Sequence, residues 1–436
     1  MNCQEIANLS LNIPCSDYKR LVIVGGGFAG IELLNKLHDK KLQVVLIDKH
    51  NYHTFQPLLY QVATGGLEPD SIAFPLRRSV RKGKNMYFRM AEVFKIMPDK
   101  KQIDTSRGIL EYDYLVIATG TQTNYFGLDK VKFKIMGMKT IPDALDLRSY
   151  VLQNFESSLM KDNEKERHER LNIVIVGGGP TGVELAGAFA EMKKYIIPHD
   201  YPEIDLDNMK IWLIEGSSRL LGGMSTQASE KAYNYLMKMG INVMLQSAVK
   251  DYDGHILTYG KDGSLQSTIV IWAAGVQGLP IPGIEEALLP SKRFKVNYFN
   301  QVEGHKDIFA LGDIAAMTDD EFPRGHPLVA QVAIQQAKLF AHNIFCHIHE
   351  KPMKPFHYKN MGTMATVGRN KAVVDLPRFR FQGVLAWYVW MFVHLMAIAE
   401  FRNRIITFTN WLWNFFTYER AFRLIIRPYK RPSSGN

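Results

Sequence analysis

The sequence predicts an α/β fold with two Rossmann-type dinucleotide-binding domains, because one glycine-rich signature occurs twice in its 436 residues. The apolar run LVIV at 21–24 leads into GGGFAG at 25–30, and IVIV at 173–176 leads into GGGPTG at 177–182. Each signature stands between a buried-strand pattern and a helical pattern, which is the context that dinucleotide binding requires. Two copies therefore indicate two bound nucleotides, an arrangement suited to moving a hydride between them.

The glycines of each signature have separate physical roles. The first allows a tight turn, the second lets the backbone approach a pyrophosphate, and the third, Gly30 or Gly182, lets helix and strand pack closely. The pyrophosphate then binds N–H groups at the positive end of the helix dipole. An acid at the end of the next strand is expected to bind a ribose hydroxyl, and Asp48 and Glu215 stand there. Glu215 comes later than usual because residues 193–208 look like an insertion.

The repeat extends beyond the glycines to a second pair of strands. YLVIATG at 114–120 and IVIWAAG at 269–275 each end in a turn of small residues. The glycine loops are 152 residues apart and the strand ends 155, so the two offsets agree. An internal repeat of that size indicates a duplicated domain and not a solenoid.

Composition sets limits on the function. With 46% hydrophobic and 22% charged residues the chain is globular, and its length suffices for two or three domains. A net charge of +10 and a pI of about 9.2 are compatible with nucleic acid, anionic lipid or an acidic partner. No segment resembles a nucleic-acid-binding module, so we expect no nucleic-acid partner. The polar stretch 1–20 matches neither a signal peptide nor a transit peptide.

A late strand indicates which nucleotide each domain binds. DIFALGD at 307–313 ends in Gly-Asp and resembles the second flavin fingerprint of two-dinucleotide flavoproteins, in which the aspartate, here Asp313, meets the ribityl chain. The resemblance implies that a discontinuous domain, 1–125 and 296–350, binds FAD non-covalently. It also implies that the domain inserted in it, 126–295, binds the nicotinamide nucleotide.

Glu215 favours NADH over NADPH as that nucleotide. A carboxylate hydrogen-bonds a free 2′-hydroxyl and repels a 2′-phosphate. Arg219 stands close enough in sequence to weaken the preference, unless it is an ordinary solvated loop arginine.

The cysteines narrow the class of flavoprotein. Cys3, Cys15 and Cys346 are scattered and provide neither metal-ligand spacing nor a CxxC or CxxxxC redox pair. This argues against the disulfide-reductase and sulfide-oxidising relatives, and we expect no metal site. We interpret all three as buried or tail thiols.

Three segments resemble the type II, non-proton-pumping NADH:quinone oxidoreductases. NYHTFQPLLYQVATG at 51–65 resembles the family's segment after the first acid. AQVAIQQ at 330–336 matches its AQxAxQQ quinone-site motif at every fixed position. GVELAG at 182–187 matches the segment whose glutamate faces nicotinamide and flavin. The resemblance covers nearly the whole chain from residue 20 onward.

The resemblance implies a respiratory-chain flavoenzyme. Such an enzyme transfers a hydride from NADH to FAD and passes two electrons to a membrane quinone without pumping protons. It would be a homodimer bound peripherally to the cytoplasmic face of the bacterial inner membrane.

The signatures and the resemblance together imply three sets of site residues. Those expected to bind FAD are Gly25, Gly27, Phe28, Ala29, Gly30, Asp48, Lys49, Gln56, Ala118, Thr119, Gly120, Asp313, Gln331 and Val332. Those expected to bind NADH are Gly177, Gly179, Pro180, Thr181, Gly182, Glu184, Glu215, Ala274 and Gly275. Those expected to take part in catalysis are Glu184, Gln331 and Gln335.

Some of these residues have structural interpretations as well. The amides of Gln335 and Gln336 can bind a quinone carbonyl, or they can supply surface polarity or pack a helix start against flavin. Glu184 either favours the positive end of its helix dipole or, buried beside flavin, tunes proton delivery. The isolated histidines His53 and His326 are interpreted as structural.

The C-terminal region 351–436 predicts helices that associate with a membrane. Residues 383–399 are almost wholly apolar but slightly short of a bilayer-spanning helix, which needs about 20 such residues. A second stretch is amphipathic, with one face formed by Asn410, Asn414, Thr417 and Arg420 and the other mainly by Phe408, Leu412, Phe415 and Phe422. A basic cluster, opposed by Glu419, contains Arg423, Arg427, Lys430 and Arg431. The pattern predicts interfacial binding to anionic lipid. The alternative is a helix pair that covers the core or forms a dimer contact.

Two other functions stay open at this point. A soluble ferredoxin- or rubredoxin-type reductase would share both nucleotide sites, although AQxAxQQ and the C-terminal helices disfavour it. A non-enzymatic, nucleotide-sensing membrane adaptor would require that the nicotinamide not reach the flavin.

Overall fold

The computed structural model describes residues 11–38, 40–81, 83–417 and 424–431. The chain forms two compact units. Unit 1 comprises Met1–His53, Phe74–Gln122 and Val276–Asn360, and unit 2 comprises Thr54–Ala73, Thr123–Gly275 and Met361–Asn436. Cys3 and four residues of the predicted C-terminal region, Glu419, Arg420, Phe422 and Arg423, lie outside the described residues.

The elements are numbered in chain order through the described residues. The strands are β1 (Arg20–Val24), β2 (Gln43–Asp48), β3 (Tyr52–Thr54), β4 (Ala73–Pro75), β5 (Met86–Met90), β6 (Val93–Met97), β7 (Gln102–Thr105), β8 (Gly108–Glu111), β9 (Tyr114–Ile117), β10 (Thr121–Thr123), β11 (Met136–Gly137), β12 (Ile173–Val176), β13 (Ile211–Ile214), β14 (Asn242–Met244), β15 (Val249–Tyr252), β16 (Ile256–Tyr259), β17 (Gly263–Gln266), β18 (Ile269–Trp272), β19 (Val276–Gly278), β20 (Phe294–Lys295), β21 (Ile308–Ala310), β22 (Ala315–Ala316), β23 (Thr363–Thr366), β24 (Ala372–Asp375) and β25 (Arg380–Gly383). The α-helices are α1 (Phe28–Leu37), α2 (Leu59–Ala63), α3 (Pro69–Ile72), α4 (Leu76–Val80), α5 (Ile141–Leu159), α6 (Glu164–Leu171), α7 (Pro180–Tyr195), α8 (Ile197–Asp200), α9 (Thr226–Lys238), α10 (Ala330–Ile348), α11 (Val384–Ala397) and α12 (Phe401–Thr417). Short 3-10 turns occur at Gln56–Leu58, Pro98–Lys100, Asp129–Val131, Glu285–Ala287 and Gly312–Ile314.

Unit 1 is built on a parallel sheet with the strand order β21-β9-β1-β2-β5. The central strand β1 is apolar because both of its faces are covered. Leu21 and Ile23 face one core, which includes residues of α1 and α10, and Val22 and Val24 face the other. The first glycine loop follows β1 at the carboxyl edge of this sheet, which is where open α/β sheets bind ligands.

Unit 2 repeats the design with a parallel sheet of order β11-β18-β12-β13-β14. Strand β12, which precedes the second glycine loop, again lies between the strand that ends at the acid, β13, and the later strand of the repeat, β18. The predicted α/β class with two Rossmann-type domains is therefore confirmed. The stretch that looks like an insertion, 193–208, contains the end of α7 and the short helix α8.

Small antiparallel sheets complete the units, β6-β7-β8 in unit 1 and both β15-β16-β17 and β23-β24-β25 in unit 2. Packing assigns residues 276–295 and 351–360 to unit 1 and residues 54–73 to unit 2, which differs from the division drawn from the sequence. The reason is that β23 packs on α7, so the C-terminal region joins unit 2 from residue 361. The functional boundaries of the nucleotide domains stay a prediction.

The C-terminal helices α11 and α12 turn some polar side chains inward, although Arg402, Thr409 and Thr417 of α12 are exposed. On α12 the side chains of Asn403, Thr407 and Trp411 are buried, and the Asn403 amide donates to the carbonyl oxygens of Asp70 and Ala73, both at 2.9 Å. Large apolar side chains stand outward on both helices, namely Val384, Leu385, Tyr388, Phe392, Val393, Met396, Phe401, Ile405, Phe408, Leu412, Trp413 and Phe416. Within the described ranges, no helix combines the length and apolar character needed to cross a bilayer.

The segment 424–431 lies on unit 2. The Arg431 guanidinium donates to the Thr268 carbonyl oxygen at 2.6 Å and lies over the Tyr150 ring. The Tyr429 backbone N–H donates to the Gln153 side chain at 2.8 Å. Arg431, expected from the sequence to face lipid, therefore binds backbone carbonyls of the protein, while Lys430 is exposed.

Candidate functional site

The first glycine loop has the geometry that a pyrophosphate needs. Gly25 has a φ of +111°, and a Cβ there would lie 2.2 Å from the Ala118 carbonyl oxygen. A Cβ on Gly30 would lie 2.0 Å from the Gly25 carbonyl oxygen, so both positions require glycine. A Cβ on Gly27 would meet no atom of the described residues within 4 Å, so that side of the loop is open. The cradle thus fits a dinucleotide phosphate at the start of α1.

Asp48 ties the end of β2 to this loop. Its carboxylate accepts hydrogen bonds from the Gly26 N–H at 2.6 Å and the His50 N–H at 2.7 Å. His53 Nδ1 lies 2.9 Å from the Gly26 carbonyl oxygen, and burial lowers the pKa of this histidine. His53 therefore has the features of a structural residue that braces the loop.

The remaining residues predicted for FAD lie in unit 1 with one exception. Ala118, Thr119 and Gly120 follow β9, and the Thr119 hydroxyl donates to the Leu279 carbonyl oxygen at 2.6 Å. Asp313 follows β21 in the 3-10 turn, with one carboxylate oxygen 3.5 Å from the Thr121 hydroxyl. The first group thus stands at the carboxyl end of β9, the neighbour of β1, and Asp313 at the carboxyl end of β21, the next strand beyond β9.

Phe28 and Ala29, also predicted for FAD, begin α1, and three further residues of that set lie elsewhere. Val332 is buried on α10, Lys49 is exposed, and Gln56 belongs to unit 2.

The second loop has nearly the same backbone geometry as the first. Gly177 has a φ of +112°, and a Cβ on Gly182 would lie 1.8 Å from the Gly177 carbonyl oxygen. Gly179, like its counterpart, opens onto free space. Pro180 and Thr181 begin α7, and since Pro180 has no N–H, the backbone donors that this turn offers to an anion belong to Thr181 and Gly182.

In the second copy, Glu215 ties the strand end to the glycine loop, as Asp48 does in the first. Its carboxylate accepts from the Gly178 N–H at 2.6 Å and the Ser217 N–H at 2.7 Å. Arg219 is engaged in its own loop, where its guanidinium donates to the Gly222 carbonyl oxygen at 2.8 Å.

The strand end that faces the second loop belongs to β18. Ala274 and Gly275 follow this strand, and Gly275 has a φ of +157°. The described geometry thus brings together in unit 2 all the residues predicted for NADH.

Glu184 is the buried acid of unit 2. It lies in α7 with 7% of its surface exposed, and its nearest polar contact is the Thr366 N–H at 3.5 Å. Burial raises the pKa of its carboxyl to about 8, and the backbone hydrogen bond opposes this only weakly. Glu184 is therefore mostly protonated at neutral pH.

An open cleft is lined by Glu184, and its empty space of about 830 Å³ includes open solvent. Its polar wall includes Glu191 and Gln61, and its aromatic wall is formed by Trp387, Trp390 and Trp411. Trp411 donates its indole N–H to the Gln61 side chain at 2.8 Å, and this fixes α12 to α2. All lining residues belong to unit 2.

Sequence reasoning did not identify the pocket walls. Glu191 stands two helical turns after Glu184 on α7, so the spacing alone places both on one face. The aromatic wall had no such signal, since tryptophans in an apolar stretch fit a membrane surface equally well. Arg369, a further lining residue, reaches the Phe415 ring, with its guanidinium 4.0 Å from the ring centre.

The glutamines of 330–336 have different partners, all in unit 1. The Gln331 side chain accepts from the Tyr358 hydroxyl at 3.3 Å. Gln335 donates to the Lys359 carbonyl oxygen at 2.9 Å and accepts from its N–H at 3.0 Å. Gln336 is buried and accepts from the Gly312 N–H at 2.7 Å, which holds the turn that carries Asp313. Gln335 and Gln336 thus each bind backbone.

His326 is buried beside these residues. Its Nε2 lies 3.2 Å from an Asp319 carboxylate oxygen, and burial lowers its pKa. Its ring packs among Phe322, Phe356 and Tyr358. These contacts agree with the structural role expected for this histidine.

Comparison with known proteins extends over nearly the whole chain. Residues 19–337 match the family described as pyridine nucleotide-disulphide oxidoreductase, and residues 360–418 match the NDH2 C-terminal domain. The chain is 36% identical over 413 residues to the type II NADH:quinone oxidoreductase NdhA of Mycobacterium tuberculosis, covering 90% of this chain and 86% of that protein. It is 32% identical over 421 residues to Ndh of the same organism, covering 92% and 89%.

Solved structures show the same fold. NDH2 from Plasmodium falciparum in complex with NADH has a TM-score of 0.86 at 22% identity, covering 94% of this chain and all of that one. The sulfide:quinone oxidoreductase of Aquifex aeolicus has a TM-score of 0.71 at 22% identity, covering 91% and 95%.

Proposed function

Because this chain belongs to the type II NADH:quinone oxidoreductases, we propose that it oxidises NADH through FAD and reduces a quinone without pumping protons. The observation that carries the proposal is the doubled loop, in which each copy has its own acid. One copy lies in each unit, so each unit has the parts to bind one nucleotide.

We assign FAD to unit 1 and NADH to unit 2. In unit 1 the N–H groups at the start of α1 would hold the pyrophosphate, Asp48 the ribose and Asp313 the ribityl chain. When bound, FAD supplies a ring that accepts a hydride and releases electrons to a quinone. In unit 2 the start of α7 would hold the NADH pyrophosphate, and Glu215 the adenosine ribose. The negative charge of Glu215 disfavours a 2′-phosphate.

Glu184 is assigned to proton delivery. Quinone reduction consumes two protons, and an acid that is protonated at pH 7 and buried can give one. The pocket supports this role, since its aromatic wall gives an apolar substrate a route to the carboxyl group. We assign Gln331 to a quinone carbonyl oxygen. Gln335 acts through its two hydrogen bonds to Lys359.

We further propose that α11 and α12 lie in the membrane interface. The outward apolar side chains of both helices form the surface that would enter the lipid. Two polar side chains of α12, Asn403 and Asn414, donate to backbone carbonyl oxygens of unit 2 and so attach this helix to the protein. Attachment to the cytoplasmic face of a bacterial inner membrane and a homodimeric state are part of this proposal.

One anaerobic titration tests the activity. NADH is added to the FAD-loaded protein, flavin absorbance is followed, and a short-chain quinone analogue is then added. The expected result is bleaching by NADH followed by reoxidation by quinone. Absence of bleaching would favour the nucleotide-sensing adaptor. Bleaching without reoxidation would favour a reductase with a protein acceptor.

Vesicle sedimentation tests the membrane assignment. Serine replacements of Phe401, Phe408 and Phe416 should weaken binding to vesicles that contain anionic lipid. Phe133→Ser is the matched control, because Phe133 is 50% exposed and Phe408 49%. Undiminished sedimentation of the triple variant would contradict the assignment.

A further inference from the structure

Phe126 of unit 2 combines a large exposed ring with an unusual backbone conformation. It is 63% exposed, whereas Tyr125 and Leu128 of the same turn pack against a core of the unit. The Leu128 N–H closes the turn by donating to the Tyr125 carbonyl oxygen at 3.0 Å. Phe126 and Gly127 occupy the two central positions, with φ values of +52° and +84°. Positive φ at both positions is typical of a type I′ turn, in which the first of them is usually Asn, Asp or Gly.

A phenylalanine at this position costs free energy in two ways. At a positive φ its Cβ crowds the backbone, and its exposed ring gains little from the hydrophobic effect. Backbone conformations of this kind concentrate at functional sites, where the strain is part of the working geometry. The turn therefore indicates that the Phe126 ring has a role outside the packing of the protein itself.

The turn is fixed to the end of β18. The Asn124 N–H donates to the Gly275 carbonyl oxygen at 3.1 Å, and the Asn124 side-chain oxygen accepts from the Phe126 N–H at 2.9 Å. The Trp272 indole N–H donates to the Asn124 carbonyl oxygen at 2.8 Å. The Phe126 ring reaches the same strand end, since a Cβ on Gly275 would lie 3.0 Å from its Cζ. The ring thus lies over Gly275.

That strand end borders the second glycine loop. A Cβ on Gly177 would lie 2.5 Å from the Ala273 carbonyl carbon, so loop and strand end are in direct contact. Strand β12 leads into the loop, and its two neighbours in the sheet are β13, which ends before Glu215, and β18, which leads to Gly275. A dinucleotide bound at the carboxyl edge of such a sheet places one half on each side of the first strand. Since Glu215 is assigned to the adenosine ribose, the nicotinamide half belongs on the β18 side, where Phe126 lies.

We propose that Phe126 binds NADH by packing its ring against the nicotinamide end of the nucleotide. The proposal rests on the function proposed above and names a residue that contacts the reacting half of the substrate. Dihydronicotinamide is a flat, uncharged ring, and aromatic side chains bind such rings through burial of apolar surface and offset stacking. Bound NADH would cover the exposed phenyl ring, and this burial offsets the free energy that the turn costs.

Phe126→Asn tests the proposal because it removes the ring and supplies a residue that a type I′ turn prefers. In stopped-flow experiments on the full FAD-loaded chain, the concentration dependence of flavin reduction should give a dissociation constant for NADH raised about tenfold, the effect of one lost stacking contact. The rate at saturating NADH should stay within about threefold of wild type, since the contact stabilises ground and transition states alike. The melting temperature should stay level or rise, because the backbone strain is relieved.

ADP-ribose makes the test specific, because it has the adenosine half of NADH but lacks the nicotinamide ring. Its inhibition constant as a competitor of NADH should agree within about twofold between Phe126→Asn and wild type. Phe126→Tyr keeps an aromatic ring and should bind NADH like wild type. Phe133→Asn is the matched control, since Phe133 is 50% exposed in the same unit, and both constants should be unchanged in this variant.

A second variant keeps the test decisive. Phe126→Gly removes the ring and accepts a positive φ, so it should give the same result even if Phe126→Asn proves unstable. Equal weakening of NADH and ADP-ribose binding, or an unchanged dissociation constant for NADH in these variants, would overturn the proposal. If NADH does not bleach the flavin of the wild-type protein at all, the function proposed above fails, and this inference fails with it.

Discussion

The two glycine loops are nearly identical, yet the helices that follow them carry acids in opposite situations. Glu32 in α1 and Glu184 in α7 both stand seven residues after the first glycine of their loop. Glu32 is partly exposed and lies 4.0 Å from the Lys338 ammonium. Glu184 is 7% exposed, contacts no cation among the described residues, and has a pKa raised to about 8.

The difference comes from what packs on each helix. In unit 1, α1 packs against α10, which presents Lys338. In unit 2, α7 packs against β23 so closely that a Cβ on Gly187 would lie 2.8 Å from the Gly368 nitrogen. This contact covers most of Glu184, which keeps only 7% of its surface exposed. The two loops thus have the same geometry for binding a nucleotide. The environment of the acid in the helix that follows is determined by the elements that pack on that helix.

The largest expected effect is loss of nucleotide binding, and we expect it for a glycine replacement in either glycine loop. Gly30→Ala and Gly182→Ala each place a Cβ within 2.0 Å of a carbonyl oxygen, so the loop must deform. Gly30→Ala should yield protein without flavin. Gly182→Ala should keep its flavin yet lose more than about 10²-fold in kcat/KM for NADH, because the pyrophosphate cradle is displaced. Flavin content and steady-state rates measure both.

Gly223→Ala is the control for these replacements, because a Cβ there meets no atom within 4 Å and the φ is not positive. Loss of flavin in Gly182→Ala as well would show that the loops are not independent.

The next largest effect should distinguish the two loop-following helices, because it is expected for the acid of α7, Glu184, and not for the acid of α1, Glu32. Glu184→Gln removes the proposed proton donor and should lower quinone reduction at pH 7 by about 10²-fold. Wild-type activity that depends on this proton should fall as pH rises through about 8, where the carboxyl ionises, and the variant should lose that pH step. Glu32→Gln should leave the profile unchanged. A pH step that survives in Glu184→Gln would assign the proton to another group.

Stability gives an independent measure of the same pKa. Since the folded-state pKa of Glu184 lies above the unfolded value of about 4.3, unfolding releases a proton between the two. Wild-type stability should therefore fall relative to Glu184→Gln as pH rises from about 4.5 to 8, by at most about 1.4 kcal/mol per pH unit. Melting temperatures of both proteins at pH 5, 6.5 and 8 test this, and a constant difference would contradict it.

A smaller effect is expected at Glu215. Glu215→Gln keeps an acceptor for backbone N–H groups but removes the charge, so the preference for NADH over NADPH should narrow by about tenfold. The ratio of kcat/KM for the two nucleotides measures it, with Glu230→Gln as a surface control on α9. Unchanged selectivity would remove Glu215 from the ribose site.

The smallest effect is expected at Glu32. Its ion pair with Lys338 is long and partly exposed, and such pairs contribute about 0–1 kcal/mol. Glu32→Gln should leave the melting temperature and both half-reactions near wild type. A large loss would show that the first helix also depends on its acid.

Local patterns were enough to predict the parts of this molecule that are contiguous in sequence. Strand, glycine turn, helix and acid follow one another within a few tens of residues, so both sheets and the class of each loop could be predicted. The partners of the glutamines could not, because Gln335 binds Lys359 and Gln336 binds Gly312, and no pattern links those positions.

The orientation of α12 also could not be predicted from the sequence. An amphipathic pattern gives two faces but does not say which one meets protein. Here the face with Asn403 and Asn414 does, since Asn414 donates to the Gly66 carbonyl oxygen at 3.1 Å. Likewise, a basic cluster predicts attraction to anions, yet Arg431 is used to bind carbonyl oxygens of unit 2.

The order of the pocket walls along the chain determines when each wall is synthesised. Its walls come from stretches around residues 60–66, 184–196 and 366–415, so the last wall is synthesised long after both glycine loops. Until β23 and the tryptophans of α11 and α12 have been synthesised, Glu184 lacks the residues that bury it, and a carboxyl group in water ionises near pH 4. A nascent chain can thus complete both glycine loops first, and it acquires the burial of Glu184 and the outward apolar faces of α11 and α12 later and together.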